Sequence, residues 1–139
     1  TEATALQEDP AQKYDYAYHK AVVLQKMGNY AAARSAAYEA IGYNNAEGEP
    51  YIIIAMMYAD SNPFGDDKIL AKTVFWAAVD KLEKAKSVDA DCAAEANKLI
   101  SLYRQHYPSK EDVFFKPELK PGTMFHIGGW INEDVRCRD

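Results

Sequence analysis

Three large residues, Leu24, Tyr58 and Tyr103, recur at separations of 34 and 45 residues, and a small residue three places earlier (Ala21, Ala55) repeats the first step. A period of about 34 residues belongs to a helix-turn-helix unit that cannot bury its apolar face alone and stacks on its neighbours. The second separation is the same period plus an insertion of 11 residues. A chain built this way is committed to helical hairpins lying side by side, and the work such a scaffold suits is holding another protein.

Reading along the chain predicts five helices. Asp9 followed by Pro10 makes a helix start, because the carboxylate accepts from the free first-turn N–H groups and proline sits where no N–H is missed. This helix runs to about Met27 and is closed by Gly28, Asn29 and Tyr30. A second covers Ala31 to Ile41, with Ala33, Ala36, Ala37 and Ala40 small enough to let the first approach closely. Tyr51 to Asp60 is the third; Ile52, Ile53 and Ile54 would also suit a buried strand, and the repeat spacing decides for helix. Leu70 to Val88 is the fourth, with Val74, Ala78, Leu82 and Ala85 on one face, and Asp91 to Tyr107 the fifth, ended by Pro108.

The expected organisation is a helical domain over residues 1–108, made of hairpins 11–43 and 49–88 and a cap helix 91–107, with the insertion falling within residues 61–73. Residues 109–139 form a tail whose Pro117, Pro121, Gly122, Gly128 and Gly129 exclude a long helix, while Phe114, Phe115, Phe125, Trp130 and Ile131 demand something to lie against. Met124 to Ile131 and Val135 to Arg138 fit two short strands around a turn, expected to pack on the last helices.

Among 139 residues, the acids outnumber Lys and Arg by 21 to 16, so the net charge of −5 offers no basic field to a phosphate backbone and nucleic acid is excluded as a natural partner. No apolar run reaches the roughly 18 residues of a membrane span, so no membrane insertion is expected. Cys92 and Cys137 are too few for a metal knuckle, and a disulfide between them is allowed without being implied. His19, His106 and His126 never pair at metal-ligand spacing, and no serine or cysteine sits in a nucleophile elbow; neither metal, cofactor nor catalysis is expected. Asp66 and Asp67 read better as charges at a helix N-terminus than as paired catalytic carboxylates.

Ala21, Leu24, Gly28, Asn29, Tyr30, Ala33 and Ala40, then Tyr51, Ile54, Ala55, Tyr58, Phe75, Ala78, Leu82 and Ala85, closely resemble the tetratricopeptide repeat. Two positions depart from it, Ala37 where the family usually has an aromatic and Ala90 where it usually has proline. The resemblance implies an all-α superhelix of about two and a half repeats, with Ala5 and Leu6 as the last turn of a preceding repeat. It also implies a concave groove lined by the first helix of each repeat, holding an extended peptide or partner helix. Carried over by position, the groove shows Asp15, Tyr18, Val22, Gln25 and Lys26, then Glu49, Ile52, Met56 and Ala59, then Asn97, Ser101, Arg104 and Gln105. Tyr18, Ile52 and Met56 would anchor the ligand; Lys26, Asn97 and Arg104 would orient its polar groups. Tyr18 and Val22 occupy two places where chaperone-binding members carry clamp residues, which argues against chaperone-tail binding.

With Phe114, Phe115, Gly122, Gly129, Trp130, Ile131, Val135 and Arg136, the tail is similar to the C-terminal segment of bacterial proteins with such repeats, many of them exported, which leaves the location open and points to the cell envelope or periplasm only if an export signal was removed upstream. His126, Trp130 and Arg136 gather a titratable ring, an indole donor and a guanidinium in a short segment. They compose either a small-ligand site or, on the reading the sequence favours, part of a clamp with Trp130 and Phe125 plugged into the cap helix. A structural role through self-association, and an envelope enzyme or small-molecule binder using the tail and the insertion, are the other functional readings.

Overall fold

The computed structural model describes residues 9–138, and the element expected around Ala5 and Leu6 lies outside them. Helix α1, Pro10–Lys26, begins as expected: the Asp9 carboxylate accepts from the Gln12 backbone N–H at 2.9 Å and Gln12 returns a bond to the Asp9 N–H. It ends at Gly28, whose φ of +82° is the left-handed turn that lets Asn29 N–H reach back to Leu24 O at 2.9 Å. The chain reverses there into α2, Tyr30–Tyr43, and the two helices pack along each other through Ala17 and Ala21 on one side and Ala33, Ala36, Ala37 and Ala40 on the other.

Helix α3, Glu49–Ala59, buries Ile52, Ile53, Ile54, Ala55, Met57 and Tyr58. It is enclosed by α1, α2 and α5, which is why β-branched residues form a helix here: burial on nearly every side outweighs a weak local preference. The fourth expected helix divides into α4, Lys68–Ala71, and α5, Val74–Val88. Fully buried Thr73 breaks it, its hydroxyl donating to Leu70 O at 2.6 Å while the backbone tightens to i→i+3 bonds across Lys72 and Thr73. Helix α6, Ala93–Arg104, follows a 3₁₀ turn at Ala90–Cys92 and lies on α5.

The tail adds one helix to the expected pair of strands. Ser109 caps a short helix α7, Lys110–Phe115, in a capping box with Asp112. After a 3₁₀ turn at Pro117–Leu119 come β1, Met124–Ile127, and β2, Glu133–Arg136, antiparallel with His126 opposite Asp134. β1 is shorter than expected and β2 begins two residues earlier than expected at the same length, because Gly128 to Asn132 rather than Asn132 to Asp134 is given over to the turn. Phe125, Ile127, Val135 and Glu133 point inward, while Met124, His126, Asp134 and Arg136 share the exposed face.

Leu119, Ile127, Ile131, Val135 and Cys137 belong to the same apolar cluster as α1 to α6, so helices and ribbon share one core. The ribbon rests on α5, where Arg138 grips Asp80 at 2.7 and 3.2 Å. Trp130 was expected to plug into the cap helix; instead it lies over α2 and α3, 5.2 Å from the Tyr58 ring and 5.7 Å from Tyr30. Phe125 meets Phe64 of the insertion at 5.7 Å, also away from α6.

Candidate functional site

Leu24, Tyr58 and Tyr103 each occupy the last turn of their helix, α1, α3 and α6, and all three pack in the same core. Just beyond them the ends of the three helices frame a cleft of about 410 Å³, which is within the usual range for a ligand site. Gln25 of α1 and Met56 and Ala59 of α3 line it beside Tyr103 and His106 at the end of α6. Tyr30 and Phe75, from the second helices of the two hairpins, complete the wall.

The wall is aromatic and already arranged. Phe75 stacks on His106 with centroids 4.9 Å apart and tilts against Tyr103 at 5.6 Å. Met56, 41 % exposed, lines the same cleft as a flexible apolar contact. At the rim the Tyr30 hydroxyl donates to the Asp60 carboxylate at 2.5 Å, a bond that raises the Tyr30 pKa. Burial raises that of Tyr103, so both phenols stay neutral donors at physiological pH. The cleft offers aromatic faces and one carboxylate, a chemistry suited to an apolar side chain with a cation nearby.

The residues expected to line a groove divide. Gln25, Met56 and Ala59 are at the cleft. Ile52 is only 2 % exposed and belongs to the core, so it cannot anchor a ligand; enclosure of α3 by three helices takes it out of reach. Tyr18 is half-buried with its ring stacked on Tyr14 at 5.9 Å, and Val22 packs half-buried against the core. Asp15, Lys26, Asn97, Ser101 and Gln105 are exposed on their helices, and Glu49 is half-buried beside Cys92. Arg104 opens onto a different cavity, with Tyr107 and Lys110. Tyr30 and Phe75 were missed by the positional rule because it counts only first helices, and His106 because the helix stops at Arg104 and its exit, rather than a groove-facing position, brings the ring to the cleft; Tyr103 carried the repeat signal without being assigned to the groove.

The three tail residues do not form one site. His126 and Arg136 face outward, His126 bonded to Asp134 at 2.7 Å and Arg136 donating to Gly122 O at 3.0 Å, while Trp130 turns inward. Its indole N–H donates to Ser61 Oγ at 3.0 Å. Half-buried Arg34 lies 5.0 Å under the indole and donates to the Trp130 and Ile131 carbonyls, both at 2.7 Å, and to the Tyr58 hydroxyl at 2.9 Å. Tyr58 in turn donates to Glu133, which also meets Lys81 at 3.3 Å. Burial foremost, then the bond to Glu133, pushes the Tyr58 phenol up, so it donates throughout the physiological range.

The insertion is tied down as well. Asp67 caps α4 by accepting from Ile69 and Leu70 N–H and pairs with Lys116 at 2.7 Å; Lys72, at the other end of α4, pairs with Asp112 at 2.8 Å. Pro63 abuts Gly129, where an added Cβ would sit 2.9 Å from the proline Cβ. Insertion and tail therefore occupy each other. Cys92 and Cys137 are both free and buried, and burial first, then Asp89 and Glu49, pushes the Cys92 thiol up to about 12, where it is no nucleophile.

Among the described residues no three His, Cys, Asp or Glu side chains are grouped to hold a metal ion, and no helix is long and apolar enough to cross a membrane. Comparison with family models, with curated proteins and with solved structures returns no match for this chain.

Proposed function

We propose that the chain is a non-catalytic binding module of the tetratricopeptide-repeat kind, whose stacked hairpins hold an extended peptide or partner helix in the cleft at the ends of α1, α3 and α6. The observation that carries this reading is the convergence of Gln25, Met56, Ala59 and Tyr103, from three helices related by the sequence period, on one aromatic cleft. Ligand side chains would enter between Met56, Phe75 and Tyr103, with Asp60 favouring a neighbouring lysine or arginine. Rigid aromatic walls give large contact area for little lost rotamer freedom.

Peptides selected from a displayed random library on the full chain, then measured by fluorescence anisotropy, test it. Met56→Asp is expected to abolish their binding at unchanged helical content, while Leu102→Asp, somewhat more exposed on α6 and outside the cleft, leaves it intact. Undiminished binding by the Met56 variant removes the reading.

Self-association is the second reading, favoured by the stripe of Tyr16, Val23 and Met27, 73 %, 54 % and 72 % exposed along one side of α1. Sedimentation over a concentration series decides it, a monomer throughout arguing against.

A further inference from the structure

A second cavity, of about 470 Å³, lies where the end of α6, the start of α7 and the end of the ribbon meet. Its floor is apolar: Tyr107, Pro108, Val113 and Pro121. Its rim carries Arg104, Lys110 and Arg138, and no Asp or Glu lines it, although acids outnumber bases in the chain as a whole. Even with Asp80 paired to Arg138 beside the cavity, the cations outnumber the acids around this apolar hollow, which favours a ligand of negative charge.

The cations are not equivalent. Arg138 already spends its fork on Asp80 and its Nε–H on Arg136 O, so it walls the cavity. Arg104 and Lys110 make no ion pair among the described residues and are free to meet an anion. The floor is fixed before anything binds, the Tyr107 ring standing edge-on to fully buried Trp76 at 6.2 Å and the two prolines holding their backbone. A bare inorganic anion would leave that floor wet, whereas a purely apolar ligand would ignore the rim.

We propose that this cavity binds a small organic acid, a carboxylate carried on an aromatic or branched aliphatic body, with Arg104 and Lys110 taking the carboxylate and Tyr107, Pro108, Val113 and Pro121 the body. The site is independent of the peptide cleft.

The test is a titration of the ¹⁵N-labelled chain with 3-phenylpropionate and, separately, with 3-phenylpropionamide, read at the amides of Tyr107, Val113 and Arg138. The acid is expected to shift these resonances saturably and to bind at least about tenfold more tightly than the amide, the worth of a hydrogen bond to a charged group. Arg104→Gln and Lys110→Gln, both at exposed positions, should each weaken the acid by about tenfold and leave the amide unchanged. Equal affinity for acid and amide, or no shift at these residues with either, overturns the proposal. Tighter binding of a short peptide ending in a free leucine carboxylate overturns its assignment to a free acid. Met56→Asp should not alter any of these affinities, so failure here and failure of the peptide cleft are told apart.

Discussion

Arg34 does more for this molecule than its place on a helical hairpin would suggest. One guanidinium serves two backbone carbonyls and a phenol at once and lies under an indole, a combination only a planar five-donor fork achieves. Arg34→Lys keeps the charge and loses the fork, and we expect it to lower stability by about 1–3 kcal/mol, read as the urea midpoint at constant slope. A midpoint within error of the parent would show the bonds to be dispensable. Nothing in the sequence marks this residue. Its carbonyl partners are 97 and 96 positions downstream, and an arginine on a surface helix looks like any solvated charge until the tail is seen to fold back over it.

At the scale of elements, the period in Leu24, Tyr58 and Tyr103 located α1, α3 and α6 because it reflects what each helix buries, and the start and end of α1 were legible because caps are local chemistry. Division of the fourth helix was not legible: whether a threonine hydroxyl turns onto its own backbone depends on the burial around it. Helix α7 was missed for a related reason, six residues being too few to show a period. Its position rests on a crossed pair of salt bridges, Lys72 to Asp112 and Asp67 to Lys116, joining the two ends of α4 to the tail. The Asp112 carboxyl is held below the usual carboxylate range by Lys72 first and then by the Ser109 N–H; Asp67 is lowered by the Leu70 N–H first and then by Lys116. A carboxyl depressed in the folded state stabilises above its unfolded pKa of about 4 and loses that contribution as pH falls through the folded value. The urea midpoint should therefore fall on acidification from about pH 6 to about pH 3, and fall less in Asp112→Asn. An equal fall in both would assign the acid sensitivity elsewhere.

For the whole molecule, the expected boundary between helical domain and tail is a boundary in sequence only. Ile127, Ile131 and Val135 share a cluster with Ile54, Trp76 and Leu82, and the glycine at 129, in a left-handed conformation with φ of +64°, brings the turn against Pro63. Helices and ribbon should unfold together, with far-UV circular dichroism and tryptophan fluorescence tracing one transition in urea. Two separated transitions would mean that the tail is an appendage. Gly129→Ala meets both a strained φ and a proline wall, and should cost about 1–2 kcal/mol in the same assay. An effect as small as that of an exposed Gly122→Ala, which has the same sign of φ and open space around its Cβ, would remove the contact from the explanation. The cleft was half legible: Gln25, Met56 and Ala59 follow from repeat position, whereas Tyr30, Phe75 and His106 enter only because second helices and a helix exit reach round to it. Ile52 failed as an anchor because a positional rule says which way a side chain faces in an ideal stack, and here the neighbouring helices close over it.

The grip of Arg34 on the tail falls on two main-chain oxygens, so what it senses is the path of the turn rather than the identity of residue 131. Evolution is thereby left free to exchange Ile131 for other apolar residues of similar bulk without releasing the clasp. Any change that swings those two carbonyls aside undoes it, however conservative the side chain.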